Sequence, residues 1–511
     1  MAQKSRMSVA VPFTVPLPIA LLLALAGGPI LDAAFPDLGI WPLALPGVVL
    51  ALLVARGRRL GSAFLVGFVF GESFYLLHIE WATEFLGLVP WAALSTLMAL
   101  WWGLGTMLIT LAYRWVPRVW PGVVARLVLL PVVVAGIWTA REGIASVWPY
   151  GGFAWGRVAL SQSASPVSPL FSLVGIAGVT FLLVVLAALV IEASLERRIA
   201  PLLRGTLAVA TATALVVIPG WPVVNDGTIR VGAVQGNAKA GYFDPPDNVG
   251  DNLLDQVEAT LPILEEDLDV VLWPEGASDI DPQRSAAAAR IFDQISERAD
   301  APLVAGTITM RGEEYFNTSV LWKAGEGVVD FYDKKHPVPF GEYVPDRDFW
   351  RPFAPDLIDL VQREYTPGTT DITVDLNGVS AALNICFDIV DDQIMTDSVR
   401  EGGQVVFAQT NNADFGMTDE SVQQLAIARI RAIELGRSVV NISTVGTSAI
   451  ALADGSLTHE LPRYEPGVML SDVPLSDTVT PAVVLGRFFE LLVSGLGLAS
   501  VVLAGILRRR R

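Results

Sequence analysis

The sequence predicts two kinds of structure in one chain: a polytopic α-helical membrane domain, about eight transmembrane helices in all, and an α/β sandwich domain. Three observations carry that expectation. The chain is 52% hydrophobic and 17% charged, whereas soluble domains carry about 25% charge. Apolar runs as long as a helix needs to cross a bilayer fill residues 1–222 and return near 484–507. Between them, strand-like apolar runs alternate with amphipathic helix patterns, as in α/β domains.

The membrane runs lie near 8–27, 38–56, 60–79, 88–114, 123–143, 167–192, 203–221 and 484–507. Their connecting segments carry charge unevenly. Lys4 and Arg6, then Arg56, Arg58 and Arg59, then Arg114, Arg118 and Arg126, then Arg197, Arg198 and Arg204, and finally Arg508 to Arg511 all fall on one side if every span is real. The alternate loops hold Asp32, Asp37, Glu80 and Glu84, with Arg141 and Arg157 as the basic exceptions. Positive loops stay in the cytoplasm, so both termini are expected inside and residues 222–480 outside. Eight spans fit the alternation and an odd number breaks it. An alternative for the first span is a signal peptide cleaved near "LALAGG", which leaves the orientation of the rest unchanged. The expected division is therefore a transmembrane domain of about seven helices over 1–222, an extracytoplasmic domain over 223–480, and a closing helix with a basic cytoplasmic tail over 481–511.

Within the soluble part, "TIRVGAVQGN" reads as a first strand and "DLDVVLWPEG" as a buried strand ending at Pro274 and Glu275. "DNLLDQVEATLPILEEDLD" and "ARIFDQISERAD" are amphipathic helices. "APLVAGTIT" is another strand, and "FNTSVLWKAGEGVVDFYDKKH" a hairpin turning at "KAGEG". "VSAALNICFD" and "GGQVVFAQTNN" are two more buried strands. "SVQQLAIARIRAIELGRSVV" is a helix, and strand pairs follow to about residue 475.

Charge and composition exclude several classes of function. The net charge of −17 sits mostly in the second half, opposite in sign to a face that neutralises nucleic-acid phosphates. One cysteine forms no intramolecular disulfide, and three widely spaced histidines, His78, His336 and His459, offer no zinc site. No glycine-rich phosphate loop is present. No cofactor and no metal is expected, and no coiled coil argues for more than a monomer.

Three polar positions stand at strand ends. Cys386, the single cysteine, closes "SAALNI". One reading is a small buried hydrophobe; the other is a nucleophile exposed at a sheet edge, which needs a partner to take its proton because the thiolate is the reactive form. An unpaired thiol facing an oxidising compartment favours the second. Glu275 in "LWPEG" is either a salt-bridged loop carboxylate or a base whose pKa burial raises. Lys334 and Lys335 are either a solvated turn or the source of an inward cation that stabilises an oxyanion. His336 is a rival partner for the thiol, without a recognisable residue to orient it. Glu342 in "PFGE" is a second carboxylate placed to hold the lysine.

A Glu after a strand, a Lys in Y-x-K-x-H and a Cys after a strand, in that order, resemble the Glu–Lys–Cys triad of the nitrilase (carbon–nitrogen hydrolase) superfamily. "YDKKHPVPFGEYVP" is more specific: it is similar to the "Y-x-K-x-H-L-V-P-F-G-E-Y-V-P" signature of the apolipoprotein N-acyltransferase family, as are "FNTSVLW", "WPEG", "TNNADFG" and "ARIRAIELGR". The resemblance covers nearly the whole chain, with its specificity in 273–437. It implies an αββα nitrilase-like sandwich, with Glu275 as base, Lys334 rather than Lys335 as the catalytic lysine, Cys386 as nucleophile and Glu342 as support for the lysine. Phe387 and Asp388, also expected at the site, stand where the family usually has Tyr and Glu. Pro337 stands where it has Leu and Asp414 where it often has Trp. Phe243 aligns loosely with an aromatic lid residue.

The resemblance further implies a multi-pass protein of the bacterial plasma (inner, cytoplasmic) membrane. It would move an acyl chain from a phospholipid donor through a cysteine thioester to the α-amine of a diacylglyceryl-lipoprotein acceptor. The aromatic segment 343–366 is expected to cover that thioester, and "VWPYGGFAWG" and "GYFDPP" to act as lid or interfacial anchor. Two competing readings share parts of the sequence: a membrane-tethered amidase or nitrilase acting on a small C–N substrate, and a non-catalytic relative.

Overall fold

The computed structural model describes residues 14–238 and 249–510. Lys4, Arg6, Arg511, Phe243, "GYFDPP" and the start of the expected first span lie outside the described residues. Among the described residues, five helices are long and apolar enough to cross a membrane: Leu60–His78, Leu88–Val119, Ala125–Ala145, Ser168–Leu195 and Arg487–Leu507. Three shorter apolar helices accompany them, Leu17–Asp32, Trp41–Ala55 and Pro201–Val217. A bilayer core of about 30 Å takes roughly 20 helical residues, so length and composition alone mark five of the eight expected spans.

The soluble part folds as two six-stranded sheets. The first holds β1 (Thr228–Gln235), β2 (Val270–Leu272), β3 (Leu303–Arg311), β4 (Glu314–Lys323), β5 (Gly327–Asp333) and β12 (Gly467–Pro474), in the order β12-β1-β2-β3-β4-β5. The second holds β6 (Thr373–Leu376), β7 (Val379–Ile385), β8 (Val405–Thr410), β9 (Val439–Ser443), β10 (Ser448–Ala451) and β11 (Leu457–Leu461), in the order β11-β10-β9-β8-β7-β6. At the centre of each sheet three strands run parallel, β1-β2-β3 and β7-β8-β9.

The period-two alternation of a strand explains the layers. Val270 and Leu272 face the core shared by the two sheets, with Leu383, Ile385 and Phe407. Their neighbours Val271 and Trp273 face the other way, onto Phe292 and Ile295 of helix Ala286–Ala299. The second sheet is covered by helix Glu420–Leu435, which packs on β9 and β10 on one side and on membrane helix Phe171–Leu195 on the other. Helix Glu420–Leu435 stops at Gly436, whose φ of +66° is the left-handed cap that glycine takes without strain.

This layering places the site. β5 pairs antiparallel with β4, and β4 with β3, so β5 again points the same way as β2 and β3. The carboxyl ends of β2 and β5 therefore open on one edge, where α/β proteins bind ligands. The second sheet reaches the same place, since the Asn411 amide just after β8 donates to Glu275 after β2.

Candidate active site

Glu275 follows β2 by three residues and Lys334 follows β5 directly. The strand ends bring them together: Lys334 Nζ lies 3.3 Å from Glu275 Oε1 and 2.9 Å from Glu342 Oε2. The ammonium is buried, with 2% of its surface exposed. Burial disfavours the charged lysine, but the Glu275 and Glu342 carboxylates on either side outweigh it and hold its pKa well above the ordinary value. Lys334 is therefore a fixed positive charge and not a proton donor near neutral pH.

Asn317 on β4 ties the two carboxylates to each other. Its Nδ2 donates to Glu275 Oε1 at 2.7 Å and to Glu342 Oε1 at 3.1 Å, while its carbonyl accepts from the Lys334 amide. The Asn411 amide donates to Glu275 Oε2 at 2.8 Å, and the Val338 amide to Glu342 Oε2 at 2.7 Å. Burial raises the Glu275 pKa; Lys334 opposes the rise and Glu342 adds to it. A carboxylate so placed is a stronger base than one in water.

Cys386 opens a one-turn 3₁₀ segment, Cys386–Val390, at the end of β7. Its φ of +49° is left-handed, a conformation that residues with a Cβ rarely hold. Burial and then the Glu275 carboxylate push its thiol pKa well above the ordinary value, while Lys334 pulls the other way. The resting sulfur is thus a thiol.

Asp388, fully buried, fastens the lysine loop to this turn. It accepts from Tyr332 Oη and from the His336 amide, each at 2.7 Å. Burial lifts its pKa to about 6 even though Lys334 and these donors oppose the shift. The Phe387 ring lies nearly parallel to those of Trp155 and Phe153, with His336 at its edge.

Residues 27–189 match the family described as apolipoprotein N-acyltransferase N-terminal domain, and residues 230–480 match carbon-nitrogen hydrolase. A protein named apolipoprotein N-acyltransferase from Mycolicibacterium smegmatis is 30% identical over 517 residues, covering 94% of this chain and 84% of that one. The chain belongs to the apolipoprotein N-acyltransferase family. A second family member, from Shewanella oneidensis, is 26% identical over 532 residues, covering all of this chain and 98% of its own. Among solved structures, an amidase of the nitrilase superfamily from Nesterenkonia AN1 overlays at a TM-score of 0.39 with 19% identity, covering 52% of this chain and 97% of that one.

In this N-acyltransferase family member, Glu275, Lys334 and Glu342 meet within hydrogen-bonding distance, and Asp388 and Phe387 secure the turn that carries Cys386. Two expected rivals point elsewhere. The Lys335 ammonium donates to the Thr370 carbonyl, and His336 Nδ1 lies 3.6 Å from Asp391. Asp414 sits in the single turn Ala413–Phe415. Sequence reasoning does not single out Asn317, Asn411 or Glu420. Glu420 is buried, accepts from Asn412 Nδ2 at 2.6 Å, and is pushed by burial to a pKa of about 8. The signal for Asn317 is a lone amide in "FNTSVLW", in the strand that feeds the lysine hairpin.

Proposed function

We propose that this bacterial membrane enzyme is an apolipoprotein N-acyltransferase that acylates the N-terminus of lipoproteins in two steps at Cys386. The single observation that carries the mechanism is the buried Lys334 ammonium held between Glu275 and Glu342. First, Glu275 takes the Sγ proton and the thiolate adds to the sn-1 ester carbonyl of a phospholipid such as phosphatidylethanolamine. The fixed Lys334 charge and a backbone N–H near Phe387 stabilise the oxyanion. The C–O bond breaks, the alkoxide takes the proton from Glu275, and lysophospholipid leaves. In the second step the α-amine of the diacylglyceryl-cysteine adds to the thioester. A C–N bond forms, the C–S bond breaks, and Glu275 passes the amine proton back to sulfur. The covalent intermediate divides one difficult transfer into two easier ones.

The site needs shelter from water, or the thioester hydrolyses. Segment 343–366 fits that task. Its short helices Arg347–Trp350 and Pro355–Ile358 leave Phe349 58% and Phe353 73% exposed, while Asp346 accepts from Tyr150 Oη on the membrane side at 2.9 Å. These exposed rings suit an acyl chain or a lipid surface better than water.

The same reading has all eight apolar helices in the membrane, residues 222–480 outside and both termini in the cytoplasm, with a monomer as the working unit. Near-full-length similarity to N-acyltransferases leaves the amidase alternative with less support. The deciding experiment incubates purified enzyme with phosphatidylethanolamine and no acceptor, then maps adducts by mass spectrometry. A fatty acyl group on Cys386 is expected, released on adding a diacylglyceryl peptide. Cys386→Ala is expected to be inert, and normal turnover by that variant would overturn the assignment. A C-terminal GFP fusion is expected to fluoresce in cells and a C-terminal alkaline phosphatase fusion to be inactive.

A further inference from the structure

The turn that carries Cys386 is strained, and the structure shows what holds it. A non-glycine residue at positive φ costs about 1 kcal/mol or more and persists only where its surroundings over-determine it. One side is fixed from within the soluble part, through Asp388. The other is fixed from the membrane half. Segment 153–157, which follows membrane helix Leu130–Ala145, lies along the turn. Trp155 and Phe153 lie nearly parallel to the Phe387 ring, at 7° and 15° and centroid distances of 6.3 Å.

Arg157, 3% exposed, grips the far end of the turn. Its Nη1 donates to Asp392 Oδ2 at 2.6 Å, and its Nη2 to Asp392 Oδ1 at 2.9 Å and to the Val390 carbonyl at 3.2 Å. Arg431 joins from helix Glu420–Leu435, donating to the Ile389 and Val390 carbonyls at 2.8 and 2.9 Å and to Asp392 Oδ1 at 2.8 Å. The second positive charge is met by Glu434, whose Oε2 lies 2.5 Å from Arg431. The other oxygen of Glu434 accepts from the Ile176 amide in membrane helix Phe171–Leu195. That helix breaks its geometry at Gly175 (φ +65°), where a Cβ would stand 2.8 Å from the Glu434 carboxylate.

A continuous set of charge-assisted bonds thus runs from a kinked membrane helix to the backbone carbonyls behind the nucleophile. Buried bidentate pairs of this kind are geometrically specific, and a displacement of about 1 Å at a reacting group costs about a hundredfold in rate. We propose that Arg157 is a positioning residue: by holding Val390 and Asp392 it sets the Cys386 turn against the membrane half, where the lipid donor lies, and so governs the rate of Cys386 acylation. The inference rests on Cys386 being the nucleophile, as proposed above.

The test uses the full chain in nanodiscs containing phosphatidylethanolamine. Arg157→Gln, Arg157→Lys and Asp392→Asn are compared with the parent for the rate of acyl-Cys386 formation, the KM for phospholipid, the fraction of Cys386 that alkylates, and Tm. Arg157→Gln is expected to slow acyl-enzyme formation by about tenfold or more, with KM within about twofold. Arg157→Lys, which keeps the charge and loses the fork, should recover part of the loss. The effects of Arg157→Gln and Asp392→Asn should combine less than additively, as they do for partners in one contact. An acylation rate within about twofold of the parent in Arg157→Gln overturns the proposal. So does a loss that matches the fall in folded, alkylatable enzyme, because that marks a structural role only. Turnover by Cys386→Ala would instead overturn the underlying assignment, so the two failures are distinguishable.

Discussion

Asn317 is where the chemistry of the site is most finely balanced. Its amide donates to Glu275 and Glu342 at once, so two carboxylates share one neutral donor and one ammonium. Replacing it with Asp sets a third carboxylate in the same buried space. Like charges favour the protonated form of their neighbours, so the Glu275 pKa, already raised by burial, rises further. In the proposed mechanism Glu275 must be ionised to accept the Cys386 proton, so the rate is expected to fall as pH drops through that pKa. Asn317→Asp is expected to move the acid limb of the acylation profile to higher pH and to lower the plateau. A pH–rate series on the two proteins checks it, and an unmoved limb would refute the shared-donor account. This residue also shows where sequence reading stops. Cys386 is legible because it follows an apolar strand directly and Glu275 because it follows one within three residues, whereas Lys334, after the half-exposed strand "GVVDFYD", is legible only through the Y-x-K-x-H resemblance. Asn317 lies within β4, and its partners come from the loops after β2 and β5, a juxtaposition that appears only once the strands are paired.

At the scale of elements, helix Glu420–Leu435 begins with a buried acid that packing makes neutral. Burial pushes Glu420 to about 8, against an ordinary carboxyl value of 4.5. The sign follows from linkage: a pKa raised on folding contributes stability that is whole below the unfolded value and is lost as pH rises through the folded one. Glu420→Gln keeps an acceptor for Asn412 and removes the titration, so its Tm advantage over the parent should grow from about pH 5 to pH 8 and level off above, as that linkage requires. Thermal melts across that range decide it, and a constant difference would mean that folding does not raise the Glu420 pKa. The elements themselves are largely legible from period-two and helical patterns. The exceptions have local causes. The helix expected over "DNLLDQVEATLPILEEDLD" ends at Thr260 because Pro262 interrupts it, leaving a 3₁₀ turn at Leu261–Ile263. The β6–β7 hairpin is absent from the sequence reading, although Asn377 and Gly378, both at positive φ, are the residues that such a turn favours. The aromatic content of "GGFAWG" suggests a lid or an anchor. Its Phe153 and Trp155 rings pack on Phe387, beside Cys386, a contact that composition does not carry.

For the molecule as a whole, the last helix of the chain closes onto the helices of the N-terminal half. The closing helix Arg487–Leu507 lies against Leu130–Ala145 at a point where both backbones are bare: a Cβ on Gly136 would stand 2.4 Å from the Val493 carbonyl, and one on Gly497 would stand 2.8 Å from the Gly136 carbonyl carbon. Close approach through small residues is how helices associate where lipid removes the hydrophobic drive. Helix Leu130–Ala145 also leads into the segment that braces the Cys386 turn, so a change at this crossing should reach the site. Gly497→Leu is expected to force the helices apart, at about the 1–3 kcal/mol typical of overpacking, lowering both Tm and the rate of Cys386 acylation. The same substitution two residues earlier is the internal control, because a Cβ on Gly495 meets nothing within 4 Å. Gly495→Leu should leave both measurements near the parent values, although it adds the same bulk to the same helix. If the two variants behave alike, the loss comes from altered helix chemistry, and the Gly136–Gly497 crossing is not what fixes the closing helix to the catalytic half.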